Sequence, residues 1–213
     1  MLYGDGDGIR IKGFTKAIDV ISHELTHGVT QYEADLVYQD ESGALNESVS
    51  DVFGSLVKQW KLQQNADQAD WLIGQGLFVD ERLALRSMKA PGTAFDGDDQ
   101  PAHYRDYLKT DEDNGGVHTN SGIPNHAFYL IAIEVGGKAW EKAGLIWYKT
   151  LSSGLDSGAS FKQFASHTVM VAGNLYGSSS NEQKAVRKGW DEVGVPYEEE
   201  SLKAESLLGR KRK

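Results

Sequence analysis

His23-Glu24-Leu25-Thr26-His27 sets two imidazoles four residues apart around a single carboxylate. On a helix such a pair projects from one face, about 5–6 Å apart at Cβ, close enough to share one tetrahedral metal. Glu24 is rotated off that face, so it is free to take a proton from water activated there. This is a zinc-hydrolase pattern with a mechanism. Two core histidines flanking a chance glutamate would spell the same five letters, so other parts of the chain have to agree.

A structural zinc site closes with four protein ligands, whereas a hydrolytic one uses three and leaves a position open. There is no cysteine to close it. The next amphipathic stretch, Ala44 to Trp60, opens with Asn46-Glu47-Ser48-Val49-Ser50-Asp51, and Glu47 is the expected third ligand. Asp51 lies one turn further on the same face, where it can accept the free N–H of one ligating histidine and fix its tautomer. Asn46 can do the same for the other. An acidic first turn favoured by the helix dipole would look alike.

The elements that position these groups follow from periodicity. Phe14 to Tyr32 reads as a helix with the apolar stripe Phe14, Ala17, Ile18, Ile21, Leu25 and Val29, Thr15 as a cap and Gly28 close to its end. Pro91 to Gly122 is rich in Gly, Asp and Pro and reads as site-bearing loops. Four more helical patterns follow at Pro124–Val135, Ala139–Leu151, Phe161–Tyr176 and Asn181–Val193, the last capped from the Ser178–Glu182 run. Trp140, Trp147, Tyr148 and Trp190 are expected to pack these helices together. His103, His126 and His167 lack companion spacing and read as structural. Glu198 to Lys213 reads as a solvated tail.

The 213 residues are 39% hydrophobic, enough for one substantial core. No apolar run reaches the length that spans a bilayer. A net charge of −9 argues against a nucleic-acid surface. Absence of cysteine excludes disulfides without fixing a compartment.

Three separated segments carry a resemblance to a known family. The run from His23 through Tyr38-Gln39-Asp40-Glu41-Ser42-Gly43-Ala44-Leu45-Asn46-Glu47 to Asp51 resembles the catalytic core of the thermolysin family of neutral metallopeptidases. Asp113-Asn114-Gly115-Gly116-Val117-His118-Thr119-Asn120-Ser121-Gly122 is similar to its second signature, and Ala84-Leu85-Arg86-Ser87-Met88 to a third. The resemblance runs from about Tyr3 to Pro196 and is closest to the protealysin-like branch.

The resemblance implies a mainly α fold, the helical half of a zinc-metallopeptidase catalytic unit built around the His-Glu-x-x-His helix. Residues 1–13 are then a remnant of the amino-terminal domain and linker, 14–196 the zinc-peptidase domain and 197–213 a charged, disordered tail. It implies one zinc on His23, His27 and Glu47, and Glu24 as general base. His118 and Tyr38 match the positions that donate to the oxyanion, with Asp113 orienting the His118 imidazole and favouring its cationic form. Arg86 matches an arginine that binds a substrate carbonyl, its plainer alternative being an ordinary salt-bridged arginine. Val20, Ile73 and Leu85 match the walls of an apolar pocket for the residue after the scissile bond. The implied activity is endopeptidase cleavage on the amino side of bulky hydrophobic residues, in a secreted zymogen with a propeptide as partner, acting on peptides or proteins and binding neither membrane nor nucleic acid.

Two departures qualify this. Of the family's double calcium site the chain retains Asp19 and Asp70 but carries Lys58 and Gln75 at corresponding places. Calcium binding there is expected to be lost or reduced, with the Lys58 ammonium pairing with Asp19 or Asp70 instead. Tyr3-Gly4-Asp5-Gly6-Asp7-Gly8 matches the point where family members leave their amino-terminal β-rich domain, so that domain and its wall of the cleft are expected to be absent. The alternative function is therefore a zinc-binding helical fragment without catalysis.

Overall fold

The structure, a computed structural model, describes residues 4–198. It is mainly α, as expected. Helices α1 (Ile18–Glu33) and α2 (Asp40–Leu62) form a hairpin, and a two-stranded antiparallel ribbon of β1 (Leu72–Ile73) and β2 (Arg86–Ser87) lies beside them. After a long irregular segment come α3 (Asp113–Asn120), α4 (Gly122–Val135), α5 (Ala143–Leu151), α6 (Phe161–Tyr176) and α7 (Asn181–Glu192).

Element boundaries differ from the sequence reading for local reasons. Phe14–Lys16 form a 3-10 turn and Ala17 is extended, so α1 starts at Ile18 and Thr15 caps nothing. Gly28 sits inside α1, which runs on to Glu33. Helix α2 starts at Asp40, ahead of Ala44, and α5 at Ala143. The capping run before α7 behaves as read, with Ser180 Oγ accepting from the Gln183 N–H.

The larger difference is the face that α1 buries. Its buried residues are Asp19, Val20, Ser22, His23, Thr26 and Thr30, while Leu25 and Val29 of the apolar stripe are 57% and 44% exposed. Polar residues face α2 because the close approach of the two helices is made there. A Cβ on Gly54 would lie 2.5 Å from the Asp19 carbonyl oxygen, so only glycine admits this spacing.

Helices α4 to α7 enclose the aromatic core. Trp147 and Trp190 stack at 5.9 Å with Phe128 and Phe164 edge-on, and the Trp190 indole N–H donates to Thr168 Oγ1. Trp147 and Trp190 thus pack the helices as expected; Tyr148 does not, being 38% exposed on the rim of an apolar groove that Trp140 also lines. His103, His126 and His167 do stand apart from the metal cluster: His103 packs on Gly194, His126 stacks on Tyr129, and His167 lies near Ser153.

The irregular stretch hides a 3-10 turn at Tyr104–Asp106 and the helix α3. At the start of α3, Asp113, Asn114, Gly115 and Gly116 all have positive φ, and Asp and Asn are the side chains that tolerate this best besides glycine. The tail read from Glu198 onward has its first residue held, the Glu198 N–H donating to Ser166 Oγ. The rest of it, Glu199 to Lys213, lies outside the described residues.

Candidate metal centre

The α1–α2 hairpin sets 23 opposite 51 and 27 opposite 46, and each pair is joined by a hydrogen bond. His23 Nδ1 meets Asp51 Oδ1 at 2.8 Å, and His27 Nδ1 meets Asn46 Oδ1 at 2.8 Å. A carboxylate only accepts, so Nδ1 of His23 carries the proton and Nε2 is left for a metal. The Asn46 amide N–H donates to the Leu36 carbonyl, which turns its oxygen toward His27 and fixes that tautomer too.

Both Nε2 atoms point at Glu47. They lie 3.1 Å from each other and each 3.4 Å from a Glu47 oxygen. Two ligands on one tetrahedral zinc at 2.0–2.1 Å stand about 3.3 Å apart, so this donor set fits the ion. A second observation agrees: Glu47 Oε2 is buried and has no hydrogen-bond partner among the described residues. Burial would raise the Glu47 carboxyl, but the neighbouring His23, with help from His118 and Tyr38, holds it down at about 2. Burial likewise opposes the His23 imidazolium, yet the hydrogen bond to Asp51 and the nearby Glu47 carboxylate lift it to about 9. The cluster is therefore built to hold positive charge among carboxylates.

Glu24 is half-buried on α1 beside the ligands, with no partner among the described residues for its carboxylate. On the far side, the Tyr38 hydroxyl donates to Glu47 Oε1 and lies 3.3 Å from His118 Nε2. The left-handed start of α3 lets Asp113 clamp His118 twice, through the backbone N–H at 2.9 Å and Nδ1 at 2.7 Å. Gly43 permits this docking, since a Cβ there would lie 2.5 Å from Val117 Cγ1.

Arg86 is a salt-bridged arginine, and a half-buried one. Its Nε and Nη2 donate to the two oxygens of Asp51, each at 2.7 Å, so it braces the carboxylate that braces His23. Its strand partner is Ile73. Of the expected pocket walls, Val20 and Leu85 share a small apolar cluster with Leu77, whereas Ile73 is wholly buried in the main core and joins them through its carbonyl, which accepts the Leu85 N–H. Lys58 donates to Asp70 Oδ1 at 2.9 Å and lies 3.5 Å from Asp19 Oδ2, the pairing expected from the sequence.

Three contributors were not read from the sequence. Asn125 of α4 donates to Asp51 Oδ2, Ser50 Oγ lies 3.2 Å from His27 Nδ1, and Gln100 donates to the His118 carbonyl. Ser50 stood inside the ligand motif. Gln100 and Asn125 are lone amides far along the chain, with no spacing that marks them.

Comparison with known proteins agrees with this geometry. Residues 34–195 match the family model described as "Thermolysin metallopeptidase, alpha-helical domain", and residues 1–31 match "Thermolysin metallopeptidase, catalytic domain". The chain belongs to the thermolysin family of metallopeptidases. It is 52% identical over 210 residues to an extracellular metalloprotease of Pectobacterium carotovorum subsp. carotovorum, covering 95% of this chain and 60% of that protein. Protease PrtS of Photorhabdus sp. is 49% identical, with 94% and 56% covered. Among solved structures, the precursor of protealysin, a metalloproteinase from Serratia proteamaculans, superimposes with a TM-score of 0.87 at 55% identity, over 91% of this chain and 62% of that one. The chain thus spans about 60% of the length of these relatives. Among the described residues no helix is long and apolar enough to cross a membrane.

Proposed function

We propose that this chain forms the helical catalytic portion of a zinc-dependent endopeptidase that cleaves on the amino side of bulky hydrophobic residues. The observation that carries the reading is the convergence of His23 Nε2, His27 Nε2 and the buried, unpartnered Oε2 of Glu47, with Glu24 unpartnered beside them. His23, His27 and Glu47 would hold one zinc, which when bound supplies a Lewis acid that polarises a carbonyl and acidifies water.

The chain's own residues supply the rest. Glu24 takes the proton of the attacking water and returns it to the leaving amine. Tyr38 and His118 donate hydrogen bonds to the oxyanion, with Asp113 fixing the His118 ring. Val20, Leu85 and the backbone of Ile73 form the apolar wall that favours a large side chain after the scissile bond, and Arg86 presents its guanidinium there. Lys58 fills with a fixed ammonium the space between Asp19 and Asp70, so calcium is not needed to hold α1, α2 and β1 together. By likeness to relatives named extracellular and to a precursor structure, secretion as a zymogen, with a propeptide as partner, is part of this reading.

The exposed face of α1 favours a second reading, in which the 213 residues bind zinc and cleave nothing until further chain covers Leu25 and Val29. One experiment separates them. Zinc content and casein hydrolysis are measured for the 213-residue chain and for a fusion to the amino-terminal part of a relative, each with and without Glu24→Gln. One zinc per chain in all four, with casein hydrolysis by the 213-residue chain lost on Glu24→Gln, supports the first reading, and hydrolysis by the fusion alone supports the second. Zinc lost with Glu24→Gln would overturn the assignment of its role.

A further inference from the structure

We infer that Asn125, a buried residue of α4 whose amide donates to Asp51, is a positioning residue for the zinc site. It holds Asp51 in the single orientation that serves His23 and Arg86 together. This rests on the reading of His23, His27 and Glu47 as the metal ligands.

The argument starts from the capacity of a carboxylate. Two oxygens offer about four lone-pair directions. Asp51 Oδ1 takes His23 Nδ1 at 2.8 Å and Arg86 Nη2 at 2.7 Å, and Oδ2 takes Arg86 Nε at 2.7 Å and Asn125 Nδ2 at 2.9 Å. All four directions are used. Asp51 is 0% exposed, so no water can stand in for a lost donor without opening the core.

Each donor comes from a different element. His23 comes from α1, Arg86 from β2 and Asn125 from α4, whose neighbouring Ala127, Phe128 and Ile131 are anchored in the aromatic core. The first two form the working parts of the site, and among the donors to the Asp51 carboxylate Asn125 is the one that comes from the aromatic bundle. Without it, the bidentate arginine alone would set the carboxylate plane, and the His23 bond would follow wherever Arg86 moved.

The amide carries its own evidence. Turning Oδ1 toward the carboxylate would oppose two oxygens, so Nδ2 faces Asp51 and Oδ1 is left buried with no partner among the described residues. A leucine of similar volume would pack there without an orphaned acceptor. What offsets the orphan is the donor to Asp51. A lysine would add a second cation beside Arg86, and an aspartate would repel Asp51; a neutral donor is the chemistry that fits.

The test is the zinc dissociation constant, read by chelator competition, with thermal midpoint as control. Asn125→Leu keeps the volume and removes the donor, and it should weaken zinc about 10–100-fold, the usual effect of losing such outer support. Thr168→Val, which strips a buried acceptor from the bundle, should lower the midpoint and leave zinc affinity within about twofold. The hydrogen-bonded Nδ1 proton of His23 should shift or broaden in proton NMR of Asn125→Leu and not of Thr168→Val. Should Asn125→Leu fail to fold, Asn125→Ser keeps a hydroxyl donor and is expected to lose part of the affinity. Zinc bound by either Asn125 variant as tightly as by the unmodified chain would overturn the positioning role while leaving the ligand assignment standing. An unmodified chain that holds no zinc would overturn both.

Discussion

The α1–α2 seam and the α4–α7 bundle are built on opposite rules. In the bundle the buried contacts are aromatic and aliphatic, Trp147 on Trp190 and Phe128 on Trp147, and polar groups are few. In the seam the buried face of α1 is Asp19, Ser22, His23, Thr26 and Thr30 with Val20 alone among apolar residues, and Leu25 and Val29 look outward. The bundle is stable by transfer of apolar surface from water, whereas the seam holds charges that burial alone disfavours. A cation held by His23, His27 and Glu47, as proposed, would offset that cost.

The largest expected effect falls on the bundle. Trp147→Ala should lose about 3–5 kcal/mol in urea unfolding, because it empties a wholly buried volume, while the fraction that remains folded still binds one zinc. A loss under about 1 kcal/mol would mean that the bundle is not the main source of stability.

In the assembled enzyme, His118→Ala should lower turnover about 10²–10³-fold with little change in KM, since its donation strengthens as charge develops. Asp113→Asn acts through the same ring, so the double variant should be little worse than His118→Ala. Full additivity in steady-state kinetics would break the pair apart.

Metal removal sharpens the contrast itself. A chelator should speed amide hydrogen exchange in α1 and the first half of α2 and leave α6 and α7 protected, because the ion bridges only the seam. Equal acceleration in both regions would show them to be one cooperative unit.

Lys58 probes the seam's other charge. Burial raises the Asp19 carboxyl, and Lys58 opposes that rise. A folded-state value above the unfolded one gives stability that is present at low pH and lost as pH rises through the folded value. In Lys58→Met the opposing charge is gone, so the destabilisation should be larger at pH 7 than near pH 4, about the ordinary aspartate value. Lys58→Glu should in addition raise the thermal response to millimolar calcium, which the unmodified chain should scarcely show. A strong calcium response in the unmodified chain would refute the ammonium's role.

The smallest effect belongs to the outward stripe. Leu25→Glu with Val29→Glu should change stability by no more than about 0.5 kcal/mol, as exposed positions do, and should reduce self-association in sedimentation if that face is sticky. A large loss of stability would mean the face is buried after all.

Much of this was legible in the residues themselves. Four-residue spacing on a helix dictates that His23 and His27 share a face, and the same periodicity puts Asp51 one turn beyond Glu47; these are local geometric facts that need no partner. Six of the seven α-helices among the described residues and the cap before α7 followed from equally local signals, whereas α3, opened by four residues of positive φ, lay in a stretch read as loops. Which face of α1 turns inward was not local, and the apolar stripe pointed the wrong way, because Gly54 and the metal ligands, not hydrophobic area, decide how α1 meets α2. Asn125 and Gln100 were silent for a related reason. A lone amide acquires a role only when the fold brings a buried carboxylate or carbonyl to its N–H, across 74 residues for Asn125. The sequence by itself determined which side chains with metal-binding and acid–base chemistry are at hand. Tertiary structure alone decided what surrounds and steadies them, since that depends on contacts between segments that carry no mark of each other.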